Sequence, residues 1–191
     1  VIGNDIVDLQ QAAKDSNWQR PRFLDKVFTK EEQKLISNSE DKHQMVWLLW
    51  SMKEAAYKVN VQQFEKRFFN PKRLVCKLFS FEKGMVSIDN ESYFTSSEIT
   101  EDYVYTVATL NEEKKYKTHC FKMEQTDFKL QSQFLKKQLL TTVAKIENYN
   151  IKELMIKKTE VGVPQLFNNF EKLLTSFSLT HCGRYSGFVY L

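Results

Sequence analysis

The chain has 191 residues, enough for one large domain or two small ones, and its 42 % hydrophobic and 27 % charged residues are the balance of an ordinary globular protein. A net charge of +4 suits a polyanionic ligand or an acidic protein partner but is too small to argue for nucleic acid. With 5 glycines and 3 prolines, a P-loop and a dinucleotide-binding glycine loop are excluded, so any phosphate has to be held by side chains, helix ends or metal.

No apolar run is long enough to span a bilayer, and the opening Val1-Ile2-Gly3-Asn4-Asp5 lacks a signal-peptide pattern. Cys76, Cys120 and Cys182 are odd in number and far apart, which fits neither a disulfide framework nor a zinc site. A reducing cytoplasm is therefore expected, with no membrane partner.

In chain order, Val1 to Leu9 alternates as a strand, with Gly3, Asp5 and Val7 on one face. Asp5 sits among apolar neighbours and needs a cation or hydrogen-bond donors to stay ionised, unless it bonds nearby backbone in a turn. Residues 11–20 read as a polar helix or loop. Phe23, Leu24, Val27 and Phe28 follow at helical spacing. Thr29 with Glu32 has the capping-box spacing and predicts a helix from Lys30 to about Ile36.

The next helix, from about His43 to Asn60, carries the most information. Met45, Leu48, Leu49, Met52, Ala55, Ala56 and Val59 form one apolar stripe. The opposite face holds Trp47, Trp50, Ser51, Glu54 and Lys58. Two tryptophans beside a glutamate and a lysine suit a face against something both apolar and charged, such as a ligand site. The plainer alternative is a surface Glu54–Lys58 ion pair next to unrelated tryptophans. His43, near the helix start, is expected to be solvated.

From Lys72 the pattern changes to strands, at about 74–79, 84–88, 93–95 and 103–108, with Lys117 to Lys122 a candidate for one more. Residues 1–122 thus read as a strand, helices and an antiparallel meander. Phe128 to Ile146 is a second long helix, with Leu130, Phe134, Leu135, Leu139 and Val143 on one side and a lysine stripe on the other, which as a rule is a solvated face. Strand candidates follow at 154–156, 177–181 and 185–191, with Gly162-Val163-Pro164 as a turn and Phe170 to Leu174 ambiguous.

Asp5 and Glu54 each stand on an element whose apolar pattern says buried. Two carboxylates, together with ligand phosphates and water, are what Mg²⁺ takes from a protein. Lys58 lies one turn beyond Glu54, and His181 lies at a strand end. The set suggests magnesium-assisted chemistry on a phosphate group.

Gly3-Asn4-Asp5-Ile6-Val7-Asp8-Leu9, Phe23-Leu24-Asp25-Lys26-Val27-Phe28-Thr29-Lys30-Glu31-Glu32 and Trp50-Ser51-Met52-Lys53-Glu54-Ala55-Ala56-Tyr57-Lys58 resemble the signatures of the 4′-phosphopantetheinyl transferase superfamily. Gly162-Val163-Pro164 and Phe177-Ser178-Leu179-Thr180-His181-Cys182-Gly183-Arg184-Tyr185 are similar to its Gly-Lys-Pro and Ser-His segments. In long, two-lobed members that half comes first, so the order here looks permuted. The N-terminal half is like the short, trimeric holo-acyl-carrier-protein synthases.

The resemblance implies an α+β fold of two similar lobes, a pseudo-dimer in which each long helix packs on a small antiparallel sheet. Lobe one would be 1–122, lobe two 123–191, and a monomer is expected. It also implies transfer of the phosphopantetheine arm of coenzyme A to a serine of an apo acyl or peptidyl carrier protein. Asp5 and Glu54 would hold Mg²⁺, Glu54 and Lys58 would be catalytic, and Lys58, Thr180 and His181 would hold coenzyme A.

There are departures. The residue two after Asp5, acidic in two-lobed members, is Val7, with Asp8 one further. The lysine of Gly-Lys-Pro is Val163, and Thr180 stands for the serine before histidine. A catalytically silent homologue that binds coenzyme A or a carrier is the competing reading, and the intact Asp5, Glu54 and Lys58 argue against it.

Overall fold

The structure, a computed structural model, describes residues 1–68, 70–124 and 127–191. Strand β1 (Ile2–Asp8) is followed by helices α1 (Leu9–Asp15), α2 (Phe23–Val27), α3 (Lys30–Asn38) and α4 (Lys42–Phe64). Strands β2 (Leu74–Leu78), β3 (Lys83–Ile88), β4 (Glu91–Ile99) and β5 (Tyr103–Thr109) complete a five-stranded antiparallel sheet in the order β1-β5-β4-β3-β2.

Helix α4 is the centre of this half. Asp41 caps its start by accepting from Gln44 N, and it stops where Glu65 turns into the left-handed region at φ 50°. Its apolar stripe is buried as the spacing predicts. Trp47, Ser51 and Lys53 are buried as well, because the sheet covers one side of the helix and α1 to α3 cover the other. The helix passes so close to β1 that a Cβ on Gly3 would collide with the Ala55 carbonyl oxygen.

The buried lysine is a feature the periodicity did not reveal. Lys53 Nζ donates to Glu32 at 2.8 Å, to Leu74 O at 2.6 Å and to Pro71 O at 3.0 Å. Glu32 is the expected capping-box residue, accepting from Thr29 N, and it also accepts from Cys76 N at 2.7 Å. One carboxylate thus ties α3, α4 and β2 together, and the charge pair is tolerated in the core because each member is hydrogen-bonded.

His43 is half-buried rather than solvated. Its Nδ1 accepts from Trp18 Nε1 at 3.1 Å and Trp47 Nε1 at 3.3 Å, and its Nε2 lies 3.0 Å from Leu9 O. Buried indole N–H groups need acceptors, and the imidazole supplies one.

After β5 come β6 (Lys117–Lys122) and then the second half, with α5 (Phe128–Glu147), β7 (Leu154–Lys158), β8 (Pro164–Asn168), β9 (Glu171–Lys172), β10 (Phe177–Cys182) and β11 (Tyr185–Tyr190). Three strands form a sheet ordered β10-β11-β6, and β7-β8-β9 form another. The meander of the first half therefore ends at β5. Strand β6 crosses to pair with β11, from Tyr185↔Lys122 to Tyr190↔Lys117. Helix α5 buries Leu135, Leu139 and Val143 against Leu154, Leu166, Phe177 and Phe188. Leu130, expected on that face, is exposed.

The architecture is α+β, with two long helices each packed on antiparallel strands. The halves meet through Ile2, Ile6, Tyr105 and Val107 on one side and Tyr185 and Val189 on the other. Among the described residues no helix is long and apolar enough to cross a membrane.

Candidate active site

The site begins as a problem of two sheet edges. Strand β1 is the last strand of its sheet and β10 the last of its own, and the two lie side by side without a shared backbone ladder. Asn4 N donates to Ser178 Oγ at 3.3 Å, and Ile6 N donates to Thr180 Oγ1 at 3.1 Å. The contacts step in the same direction along both chains, so the strands run parallel. Helix α4 serves the carbonyls between them. Gln62 Nε2 donates to Ile2 O and Phe177 O, and Lys58 Nζ donates to Asn4 O at 2.7 Å and Leu179 O at 3.5 Å. Hydroxyls, an amide and an ammonium thus satisfy the backbone groups that pairing leaves open.

Asp5 lies inside this seam. Thr180 Oγ1 donates to its Oδ1 at 3.2 Å, and Lys58 Nζ stands 3.5 Å from the same oxygen. Burial raises the Asp5 carboxyl above its ordinary range, while the Lys58 charge and the bonds from Thr180 and Ser51 pull it down.

The Glu54–Lys58 ion pair suggested by helical spacing is not formed. The ammonium turns to Asp5 and to two carbonyl oxygens. These offer more than an i,i+4 pair at the surface, which is worth a few tenths of a kcal/mol.

Glu54 is half-buried. Burial, and next the negative charge of Asp5, push its carboxyl up to about 7 against the pull of Lys58. Asp5 and Glu54 therefore feel one another's charge, the situation in which a shared cation is favourable.

Glu54 lines two clefts. The first, of about 370 Å³, is walled by Tyr57, Lys58 and Arg67 from the first half and by Lys136, Lys158, Gly162, Val163 and His181 from the second. Among the described lining residues Glu54 is the one acid, against Lys58, Arg67, Lys136 and Lys158. Lys136 is the one member of the lysine stripe of α5 on this wall. The His181 ring packs edge-on against Phe128 at 4.3 Å, and burial, then the charges of Lys58 and Lys158, lower its pKa. A second cleft, of about 780 Å³, shares Glu54 and Tyr57 and is lined by Phe23, Trp47, Trp50, Phe68, Arg20 and Lys26. The tryptophan-bearing face of α4 thus borders a surface that is both apolar and charged.

Thr180 is turned away from the first cleft. In a strand, neighbours alternate, so Leu179 and His181 face the cleft while Thr180 faces Asp5. Asp8 is engaged elsewhere. It caps α1 by accepting from Gln10 N and Gln11 N, and it accepts from Arg184 at Nε, Nη2 and the backbone N, all within 2.9 Å. Burial alone would raise this carboxyl, and the hydrogen bonds from Arg184 and Gln11 outweigh it and hold it at about 2. Both partners lay in quoted motifs, but nothing in the spacing joined residue 8 to residue 184.

A family model described as the 4′-phosphopantetheinyl transferase superfamily matches residues 1–108, more than half of the chain. The chain belongs to the 4′-phosphopantetheinyl transferase superfamily. The matched stretch of this transferase contains β1, all of α4 and the sheet behind them, and so Asp5, Glu54 and Lys58. Among solved structures it is similar to the holo-[acyl-carrier-protein] synthase of Thermotoga maritima, at 12 % identity and a TM-score of 0.44, over 88 % of this chain and 83 % of that one. No curated protein matches.

Among the described residues no group of three or more His, Cys, Asp or Glu gathers as a metal site. The donor set of Asp5 and Glu54 is a carboxylate pair. It fits a hard cation that completes its shell with ligand oxygens and water.

Proposed function

We propose that this transferase moves the 4′-phosphopantetheine arm of coenzyme A to a serine of an apo acyl or peptidyl carrier protein, with Mg²⁺ held by Asp5 and Glu54. The observation that carries the reading is that Glu54, Lys58 and His181, from both halves of the chain, line one cleft whose other charged walls are basic. Such a cleft suits a nucleotide with several phosphates. When bound, the cation would neutralise charge on the pyrophosphate.

The residues divide the work. The serine oxygen attacks the phosphorus that bears the pantetheine arm, and its proton passes to the Glu54 carboxylate. The bond from that phosphorus to the bridging oxygen breaks, and adenosine 3′,5′-bisphosphate leaves. Lys58 stabilises the charge on the phosphoryl oxygens. Its present partners, Asn4 O and Asp5, hold it at the cleft wall until then. His181 and Lys58 contact coenzyme A, while Thr180 acts on Asp5 rather than on the nucleotide.

The second cleft brings the serine. It meets the first at Glu54 and Tyr57, so a hydroxyl entering there reaches the base without crossing the nucleotide site. Its aromatic floor and the cations Arg20 and Lys26 suit an acidic carrier helix. We retain a division into lobes at 1–122 and 123–191, with β6 reaching across it to β11.

The test is direct. Apo carrier proteins incubated with coenzyme A, Mg²⁺ and this protein should gain the mass of the phosphopantetheine arm. No gain with any carrier, while coenzyme A still binds, would leave a binding homologue instead.

A further inference from the structure

Strand β6 leaves one side of its backbone open. Met123 N donates to Arg184 O at 2.6 Å, and the pairing with β11 continues from there through Tyr185↔Lys122 to Tyr190↔Lys117. Residues of an antiparallel strand turn their backbone groups alternately to one neighbour and to the other side. His119 and Phe121, in phase with Met123, therefore turn theirs to β11, and Thr118, Cys120 and Lys122 turn theirs outward. Strand β6 is the last of its sheet, and these outward groups have no partner among the described residues. Thr118, Cys120 and Lys122 are all exposed.

The edges of the five-stranded sheet are treated differently. Along β2, Glu32 accepts from Cys76 N and Lys53 donates to Leu74 O. Along β1, Ser178 and Thr180 accept from Asn4 N and Ile6 N, while Gln62 and Lys58 donate to Ile2 O and Asn4 O. No side chain serves the edge of β6 in this way among the described residues. A free edge with its donors and acceptors in strand geometry takes an extended segment as a further strand.

Charge says what kind of segment. The Lys117 end of β6 opens on a cavity of about 720 Å³ with Phe94, Val107 and Ile146 in its lining. Lys83, Lys114, Lys115 and Lys117 stand around it, against Glu147 and Glu112, and Glu112 is paired with Lys83. Lys114, Lys115 and Lys117 have no carboxylate partner among the described residues. Lys122 adds a cation at the other end of the strand. A second copy of β6, paired antiparallel, would set lysines against lysines at both ends, which disfavours self-pairing. An acidic segment meets complementary charge instead.

We propose that the free edge of β6 receives an extended acidic segment of a partner protein as a fourth strand of the sheet β10-β11-β6, with an apolar side chain of that segment anchored in the cavity beside Lys117. Thr118, Cys120 and Lys122 supply the main-chain bonds, and the cavity with its lysines supplies the selectivity. This surface shares no residue with the cleft of Glu54, Lys58 and His181, so the proposal stands apart from what that cleft binds.

Amide hydrogen exchange read by NMR tests it, with and without probe peptides of about eight residues in which glutamate alternates with valine, leucine or phenylalanine. In the free protein the amides of Thr118, Cys120 and Lys122 should exchange fast and those of His119 and Phe121 slowly. At least one peptide should bind with a Kd below about 1 mM and protect the three fast amides. The same peptide with lysine for glutamate should bind at least about tenfold more weakly. Cys120→Pro removes one outward N–H and leaves the ladder to β11 intact, so it should weaken binding by about tenfold, while Cys120→Ala should not. Slow exchange of His119 and Phe121 in the proline variant shows that it is folded. The peptide supplies a check that leaves the protein unchanged: N-methylation of alternate amides should abolish binding in one phase and spare it in the other. Slow exchange of the three amides in the free protein, no protection by any peptide, equal binding of the lysine peptide, or equal loss from both methylation phases would each overturn the proposal.

Discussion

Thr180 Oγ1 donates to Asp5 Oδ1 at 3.2 Å while accepting from Ile6 N, so one hydroxyl joins the edge strand β10 of one half to the buried carboxylate of the other. Thr180→Val keeps the shape and removes both bonds. It leaves a buried amide without an acceptor and a carboxylate with one donor fewer, at about 1–3 kcal/mol. Thr180→Ser should lose far less. Chemical denaturation of the three proteins, together with transfer rates, checks this. A Val variant as stable and active as the parent would mean that the seam holds without the hydroxyl.

Glu54→Gln should abolish most transfer, by on the order of 10² or more for the loss of a general base. It should also change how stability depends on pH when divalent cations are absent. The carboxyl is raised from 4.5 to about 7 in the folded chain. Between those values the folded state holds a proton that the unfolded state has lost, so stability falls as pH rises through the window and levels off above it. The glutamine variant should lack that decline, gaining on the order of 2 kcal/mol relative to the parent at pH 8. Denaturation curves at pH 5 and pH 8 measure the difference.

Lys58→Ala removes a cation from the reacting end of the cleft. We expect kcat to fall by about 10²–10³, more than KM for coenzyme A rises. Lys58→Arg should not rescue fully, because a planar fork does not replace a compact ammonium beside Asn4 O. Steady-state kinetics with a working carrier decides it. Constants within about threefold of the parent would reduce the lysine to a partner of Asp5.

The Asp8–Arg184 bridge carries the acid sensitivity of the contact between halves. Asp8 is lowered from 3.8 to about 2. Its contribution is whole above about pH 4 and is lost as pH falls through about 2, amounting to about 2 kcal/mol. Asp8→Asn should flatten the acid limb of a stability-versus-pH curve. An unchanged limb would count against the bridge.

Lys53→Ala strands Glu32 in the core without its cation. A loss of about 3–5 kcal/mol is expected, read from the urea midpoint. Adding Glu32→Gln should recover part of it. The recovery stays incomplete, because Glu32 also accepts from Thr29 N and Cys76 N.

The sequence by itself determined the local elements and the family. The stripe from Met45 to Val59, the Thr29–Glu32 capping box and the alternation around Asp5 depend on the period of a helix, the geometry of a cap and the pleat of a strand, and these are properties of neighbouring residues. Tertiary structure alone decided which polar groups meet. Nothing within a few residues of Lys58 announces that its ammonium turns to Asp5 instead of Glu54, or that β6 leaves its meander for β11. Lys53 lies in the core because Glu32, Pro71 and Leu74 converge on it from distant elements, and His43 is fixed by Trp18 and Leu9. The reason is common to all of them. Buried charges and open backbone groups take whatever partner folding brings within about 3 Å, and that partner is set by how sheets and helices pack rather than by spacing along the chain.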